Sequence, residues 1–179
     1  MVPALVRDPY QQRQHLLDLA HRMKVPVVSG DYFAAFIRYP GIQTADGFSI
    51  DSWIFNMLHE LGHTELIIRR ETHHIKAFKW DLDVRLGKCP QSDRFYYFYL
   101  FMEWAAWKQG YIIVVREGLD IDLHGYWEHA KRMYYTYVVN IRHTTARSIK
   151  ANRRWRTAPK YSFLKSGVKR ALQREMEHD

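Results

Sequence analysis

The segment from Ser49 to Arg70 constrains the fold of this chain more than any other part of its sequence. Read as a helix, it is apolar on two opposite sides, and such a helix must be covered by neighbouring elements on both. One side carries Ile50, Trp53, Ile54, Met57, Leu58 and Leu61, and the other carries Phe55, Leu66 and Ile67. Ser49 or Asp51 is suited to cap its N-terminus. The sequence therefore predicts a buried helix inside a chain of 179 residues, a length typical of one domain.

Two histidines and a glutamate lie in the middle of this predicted helix, in the sequence His59-Glu60-Leu61-Gly62-His63. Residues four apart share one face of a helix, so both imidazoles can bind the same metal ion. Glu60 lies about 100° further round, too far to complete the chelate but suited to take a proton from a water on the ion. Gly62 weakens a helix by about 1 kcal/mol without a local reason, which predicts close approach by another backbone. The alternative is a structural pair of histidines, with Glu60 ion-paired to an arginine.

The motif and its apolar flanks resemble the zincin metallopeptidases, and the form HELGH is similar to the small intracellular members of that group. The resemblance covers about Met57 to Leu66. Arg69 stands where the elongated metzincin motif has a third histidine, so the metzincin subclass is excluded. The resemblance implies a zincin-like domain with Zn²⁺ as cofactor and a protein or peptide as substrate. It also implies that Glu60 acts as general base and that His59 and His63 bind the ion.

A catalytic zinc needs a third protein ligand, and two residues are candidates. Glu103 is the only charged residue between Arg94 and Lys108, and an unpaired buried carboxylate would cost several kcal/mol. The run from Glu103 to Ala106 also resembles the Glu-x-x-Ala of ImmA/IrrE-type peptidases, in which the glutamate completes the metal site. Glu103 is alternatively paired with an arginine or a tyrosine. His124 is the rival ligand, because its His-Gly-Tyr-Trp context resembles the SprT-like proteases, which act on protein bound to DNA.

The sequence offers further polar residues. Tyr126 and His124 are candidates for a group that would stabilise an oxyanion. His129 is expected at the surface or behind a ligand. The pair His73-His74 is assigned no role, because successive side chains of a strand point to opposite faces. Cys89 is the only cysteine, so a metal site must be built mainly from His, Asp and Glu.

The remaining pattern predicts an α+β fold that is mainly helical with a small β-sheet. Three further helices and a C-terminal helix are expected, along with strands and turns between them. The predicted helices cover about Pro9–Met23, a segment capped by Ser92 or Asp93 that runs to Gln109 with Gly110 as its C-terminal glycine, Leu123–Arg142 and Phe163–Glu177. Strands are predicted for Ile75–Leu86 and Tyr111–Val115, Tyr32–Arg38 is either strand or helix, a turn is predicted at Ser29–Asp31, and a polar loop is predicted up to Phe48.

The net charge of +8 is concentrated near the C-terminus. The stretch from Arg142 to Arg170 contains ten lysines and arginines and no acidic residue. We therefore divide the chain into a metal-binding domain, residues 1–145, and a basic tail or helix, residues 146–179. An alternative function follows: a non-enzymatic protein that binds nucleic acid or an acidic partner through residues 142–170. The N-terminus shows no secretory signal and no apolar run reaches about 20 residues, so the expected location is cytoplasmic, without a membrane partner.

Overall fold

The computed structural model describes residues 7–36, 41–72, 74–76, 79 and 93–151, with side chains of the last range described from residue 98 to residue 138. The elements in chain order are α1 (Pro9–Arg22), β1 (Val27–Gly30), β2 (Ala34–Phe36), β3 (Gly41–Ala45), α2 (Ile50–Ile68), α3 (Asp93–Glu117) and α4 (Leu123–Ala151). The predicted fold class is confirmed, because helices dominate and the described strands form one small mixed sheet.

The sheet has the order β1-β3-β2. β1 pairs parallel to β3, with Val27 opposite Ile42, and β2 pairs antiparallel to β3, with Ala35 opposite Ile42. α2 packs against both β2 and β3. The predicted polar loop before Phe48 is therefore wrong in part: β3 is the central strand, and four of its five residues are buried. The predicted turn at Ser29–Asp31 is also wrong in part, because β1 runs to Gly30.

α2 is the predicted buried helix, and its boundaries match the sequence signals. The Ser49 hydroxyl accepts a hydrogen bond from the backbone N–H of Ser52 at 3.3 Å, which caps the helix N-terminus. Every residue from Trp53 to Glu65 is buried. α3 makes the most extensive contacts with α2, and α1, β2 and β3 cover other parts of it. The expectation of neighbours on both sides is thus confirmed.

α2 and α3 touch through their backbones at two glycines. A Cβ atom at Gly62 would lie 2.2 Å from the carbonyl oxygen of Ala106, and one at Gly110 would lie 2.9 Å from the carbonyl oxygen of Leu58. The sequence prediction of a close backbone at Gly62 is confirmed. Gly110, however, does not end a helix: α3 continues to Glu117, and the glycine that follows its last residue, Gly118, has a positive φ of +66°. The predicted strand Tyr111–Val115 is accordingly wrong, because a glycine required for packing was taken for a helix terminator.

A second predicted strand begins in a segment that is helical in the structure. Residues 74–76 and residue 79 are helical, so the strand predicted from Ile75 to Leu86 is wrong at its beginning. The rest of that prediction lies outside the described residues. α4 is longer than the predicted helix Leu123–Arg142, since it runs to Ala151. The predicted helix Phe163–Glu177 also lies outside the described part of the chain.

Contacts divide the chain into two units, residues 1–138 and residues 139–179. The first contains the sheet, α1, α2, α3 and the beginning of α4. Of the second, the structure describes only the helical backbone of residues 139–151. The side chains of the basic stretch Arg142–Arg170 therefore lie outside the description. None of the helices in the described ranges combines the length and apolar character that a bilayer crossing needs.

A charged network explains Glu65, an acidic residue inside the buried α2. Its carboxylate accepts a hydrogen bond from Gln109 Nε2 at 2.5 Å and pairs with Arg116, both of α3. Arg116 also pairs with Glu117, which contacts His15 of α1 at 3.0 Å. The negative charge of the buried Glu65 carboxylate is thus balanced by partners on α3, and Glu65 is not needed as a metal ligand. Its role in the structure is to tie α2 to α3.

Candidate metal centre

Three side chains that the sequence singled out converge in the core of the first unit. The Nε2 atoms of His59 and His63 are 3.0 Å apart. Glu103 of α3 places Oε2 at 3.2 Å from the Nε2 of His59 and 3.6 Å from the Nε2 of His63. All three residues are at most 5% exposed. Backbone contact at Gly62 brings α3 close enough for Glu103 to reach the histidine pair.

These separations fit a shared metal ion. Ligand bonds of about 2.0–2.1 Å arranged tetrahedrally place ligand atoms about 3.3 Å apart. The measured distances of 3.0, 3.2 and 3.6 Å lie on either side of that value. Glu103 Oε2 is buried and faces the two imidazole nitrogens. A buried carboxylate oxygen of this kind is stabilised by a cation, so the donor set suits a divalent metal.

Charge distribution supports the same interpretation of Glu103. Burial by itself raises the pKa of this carboxyl group, but the adjacent imidazoles of His63 and His59 outweigh burial and lower the pKa below its usual range. Glu103 is therefore ionised at neutral pH, the state that a metal ligand requires.

Aromatic neighbours hold two of these groups in place. Trp107, one turn after Glu103 on α3, stacks on His59 with ring centroids 4.2 Å apart and an interplanar angle of 28°. Tyr137 of α4 forms a hydrogen bond with the Glu103 carboxylate. Because a carboxylate only accepts, the tyrosine hydroxyl donates. Both contacts reduce the side-chain freedom that metal binding would otherwise have to remove.

Glu60 lies in a different environment from Glu103. Its carboxylate belongs to a buried group with His59 and His63 whose possible ligand atoms all lie within 4.8 Å of one another. The backbone N–H of Ala35, on β2, donates to this carboxylate. Burial raises the pKa of Glu60 to about 7; the nearby Glu103 adds to the increase, whereas His63 opposes it. A carboxyl group with such a pKa can exchange protons near neutral pH, which suits a general base.

The raised pKa of Glu60 predicts a pH-dependent stability in metal-free protein. The folded state favours the protonated carboxyl, so this stabilising contribution is fully present below pH 4.5, the unfolded value, and is lost as pH rises through about 7. We expect the free energy of unfolding of wild type to fall by roughly 2–3 kcal/mol relative to Glu60→Gln between pH 5 and pH 8. Urea unfolding of both chelator-treated proteins across this range measures the difference. Parallel curves would contradict it.

Three other residues that the sequence proposed are placed differently from Glu103. His124 is exposed in the first turn of α4, whereas both imidazoles of the pair are buried. The Tyr126 hydroxyl donates to the carbonyl oxygen of Trp107 at 2.6 Å, so its proton is already engaged in a structural hydrogen bond. His129 is half-buried, with Nε2 at 3.0 Å from Asn56 Oδ1 of α2. Of the two third-ligand candidates, the geometry favours Glu103 over His124.

Sequence reasoning missed two residues of the site. His74, assigned no role, is 3% exposed, and its Nε2 lies 3.0 Å from Nδ1 of His63. Burial, followed by the neighbouring imidazole of His63, lowers the pKa of His74 to about 3. Its helical setting was the missing information, since the strand prediction directed the adjacent histidines to opposite faces. Tyr137 was missed because α4 is rich in tyrosine and no local pattern distinguishes this one.

No protein-family model, curated protein or solved structure matches this chain. The zincin resemblance of the sequence therefore stays a prediction based on the motif. The assignment of the site depends on its own residues, distances and charges.

Proposed function

We propose that this protein is a zinc-dependent metallopeptidase that hydrolyses a peptide bond, with His59, His63 and Glu103 as ligands and Glu60 as general base. The observation that carries the proposal is the convergence of Glu103 Oε2 and both Nε2 atoms within 3.6 Å of one another, on two different helices. Removing each of these three ionisable groups from water costs free energy, and a bound metal ion would offset that cost.

The two carboxyl groups beside the histidine pair have pKa values shifted in opposite directions, and this difference supports different roles for them. Glu103 has a lowered pKa and is held by Tyr137, as expected of a permanently ionised ligand. Glu60 has a pKa of about 7, as expected of a group that accepts and then releases a proton. Glu60 would take a proton from the attacking water and deliver it to the leaving amine. Separate environments for the two acids are a common property of acid-base sites.

The ligand types favour zinc. Two imidazoles and one carboxylate form a known set of catalytic zinc ligands. A bound zinc ion would act as a Lewis acid and lower the pKa of water toward neutrality. Calcium and magnesium prefer oxygen ligands and would not select a pair of buried imidazoles. Iron(II) also binds two histidines and a carboxylate, but oxygen-activating iron sites do not require an adjacent base such as Glu60.

The test combines metal content with hydrolysis of fluorescein-labelled casein as an unfolded protein probe. We expect wild type to bind one Zn²⁺ and to hydrolyse casein. Glu60→Gln should retain the zinc and lose turnover by about 10²–10⁴-fold, because only the base is removed. His59→Ala should lose both zinc and turnover. His124→Ala, at an exposed histidine outside the site, is the matched control and should behave as wild type.

Several outcomes would contradict the proposal. They include wild type that binds no zinc, iron in place of zinc under anaerobic purification, and casein hydrolysis unaffected in Glu60→Gln. Binding of DNA or RNA that weakens steeply with salt and is unchanged in His59→Ala, together with no hydrolysis, would favour the alternative of a basic binding protein.

A further inference from the structure

We propose that His74 is a positioning residue for the metal site: its Nε2 accepts the Nδ1 proton of His63 and so fixes the tautomer in which Nε2 of His63 binds the ion. This inference deepens the proposed function and rests on it. The residue is supplied by a segment that the HExxH pattern does not include, 11 positions after His63.

The two nitrogens of the His63 ring face different partners. Nε2 faces the site, at 3.0 Å from the Nε2 of His59 and 3.6 Å from Glu103 Oε2. Nδ1 faces away from it, at 3.0 Å from Nε2 of His74. The ring therefore bridges the ligand cluster and His74, and its orientation is set at both ends.

Proton placement follows from these contacts. A neutral imidazole carries one proton, and a nitrogen that binds a metal must present its lone pair. Nε2 of His63 can be a ligand only if the proton is on Nδ1, where it points at His74. His74 must then accept with Nε2 and carry its own proton on Nδ1. If the Nε2 of His74 donated instead, the proton of His63 would lie on Nε2, and this nitrogen could not bind the ion.

Burial gives this hydrogen bond a large effect. His63 and His74 are 4% and 3% exposed, so water cannot readily replace the acceptor if His74 is removed. A partner behind a metal-binding histidine fixes ring orientation and raises ligand basicity, and its loss commonly weakens metal binding by about 10–100-fold. Carboxylates and backbone carbonyls usually fill this position. A neutral imidazole acceptor does the same without adding negative charge beside Glu60 and Glu103.

The experiment compares His74→Met, which removes the acceptor at similar volume, with His74→Gln, whose side-chain carbonyl can accept the same proton. Zinc dissociation constants are measured by competition with a chromophoric chelator. We expect an increase of about 10–100-fold for His74→Met and recovery of most of the affinity in His74→Gln. His15→Met is the matched control, since it removes a partly buried histidine bonded to Glu117 at the end of α3, and should leave zinc affinity near that of wild type.

Nitrogen-15 NMR of the histidine rings gives a second readout that a merely structural role would not change. In zinc-loaded wild type, the His63 proton should lie on Nδ1 and exchange slowly with water, and Nε2 of His74 should be unprotonated. Exchange of the His63 proton should become faster in His74→Met. If His74→Met does not fold, the wild-type spectrum still decides, because a protonated Nε2 on His74 overturns the inference.

Different results of the zinc-binding measurements would contradict the role of His74 and the proposed function. Wild type without zinc affinity would remove the metal site itself. Wild type that binds zinc while His74→Met binds it equally well would overturn only the role of His74. A second zinc ion bound between Nδ1 of His63 and Nε2 of His74 would also overturn it, and ring nitrogen-15 shifts that show both atoms as ligands would reveal it.

Discussion

Zinc affinity should fall by about 10²-fold or more in Glu103→Gln, and casein hydrolysis should fall to the uncatalysed level. Structural zinc sites with four ligands bind with about 10–16 kcal/mol, so one ligand accounts for about 3 kcal/mol, which is more than a 10²-fold change. The glutamine has nearly the same shape and can still accept from Tyr137, so the fold should persist. Turnover is lost more completely than in Glu60→Gln, because the ion itself is no longer held. Metal titration and the casein assay measure both effects.

A carboxylate on the same helix provides the control for this prediction. Glu117 lies near the end of α3 and contacts His15 and Arg22 of α1, remote in sequence from the histidine pair. Glu117→Gln should lower stability modestly and leave zinc affinity unchanged. If Glu103→Gln bound zinc as tightly as wild type while Glu60→Gln lost it, the two carboxylates would have exchanged roles and Glu60 would be the ligand.

Gly62→Ala should destabilise the protein by more than about 3 kcal/mol, toward the upper end for an overpacked core. The added methyl group would lie 2.2 Å from the carbonyl oxygen of Ala106 and 3.1 Å from the backbone nitrogen of Gly110. Backbone atoms inside a helix cannot turn aside as a flexible side chain does, so α2 and α3 must move apart. For a chain of this size the melting temperature should fall by roughly 10 °C. Glu103 would also be drawn away from the histidine pair, so zinc affinity should fall.

Gly125→Ala is the matched control for a glycine within a helix. The added Cβ there would lie 2.5 Å from Asp122 Oδ2, the far end of a side chain that can rotate. The gain in helix propensity, up to about 1 kcal/mol, should therefore make this variant neutral or slightly stabilised. Thermal unfolding of the two variants beside wild type decides the matter. A melting temperature for Gly62→Ala equal to that of Gly125→Ala would show that the helices are not in backbone contact.

Several features of the site followed from local sequence signals. Spacing of four residues placed His59 and His63 on one helical face, and this does not depend on the rest of the fold. The costly glycine at position 62 indicated a neighbouring backbone, and Ala106 supplies it. Glu103 was singled out because a charge inside an apolar helix needs a partner. The last two of these inferences used the cost of an unfavourable residue in its predicted setting.

Other features depended on elements distant in the sequence. Gly110 is an ordinary helix terminator by local rules, and only its contact with Leu58 explains why α3 continues through it. β3 lacks a strong strand pattern, yet pairing on both edges makes it the central strand. In each case a tertiary contact outweighed a local preference of about 1 kcal/mol or less.

Local sequence signals were enough to predict a buried helix with two histidines on one face and an acid beside them. Packing between distant elements was needed to bring Glu103 to this pair, to raise the pKa of Glu60, and to place His74 and Tyr137 beside the site. Helical periodicity fixes directions only within one element. Distances between elements, and the desolvation that shifts a pKa, arise only when the elements pack together.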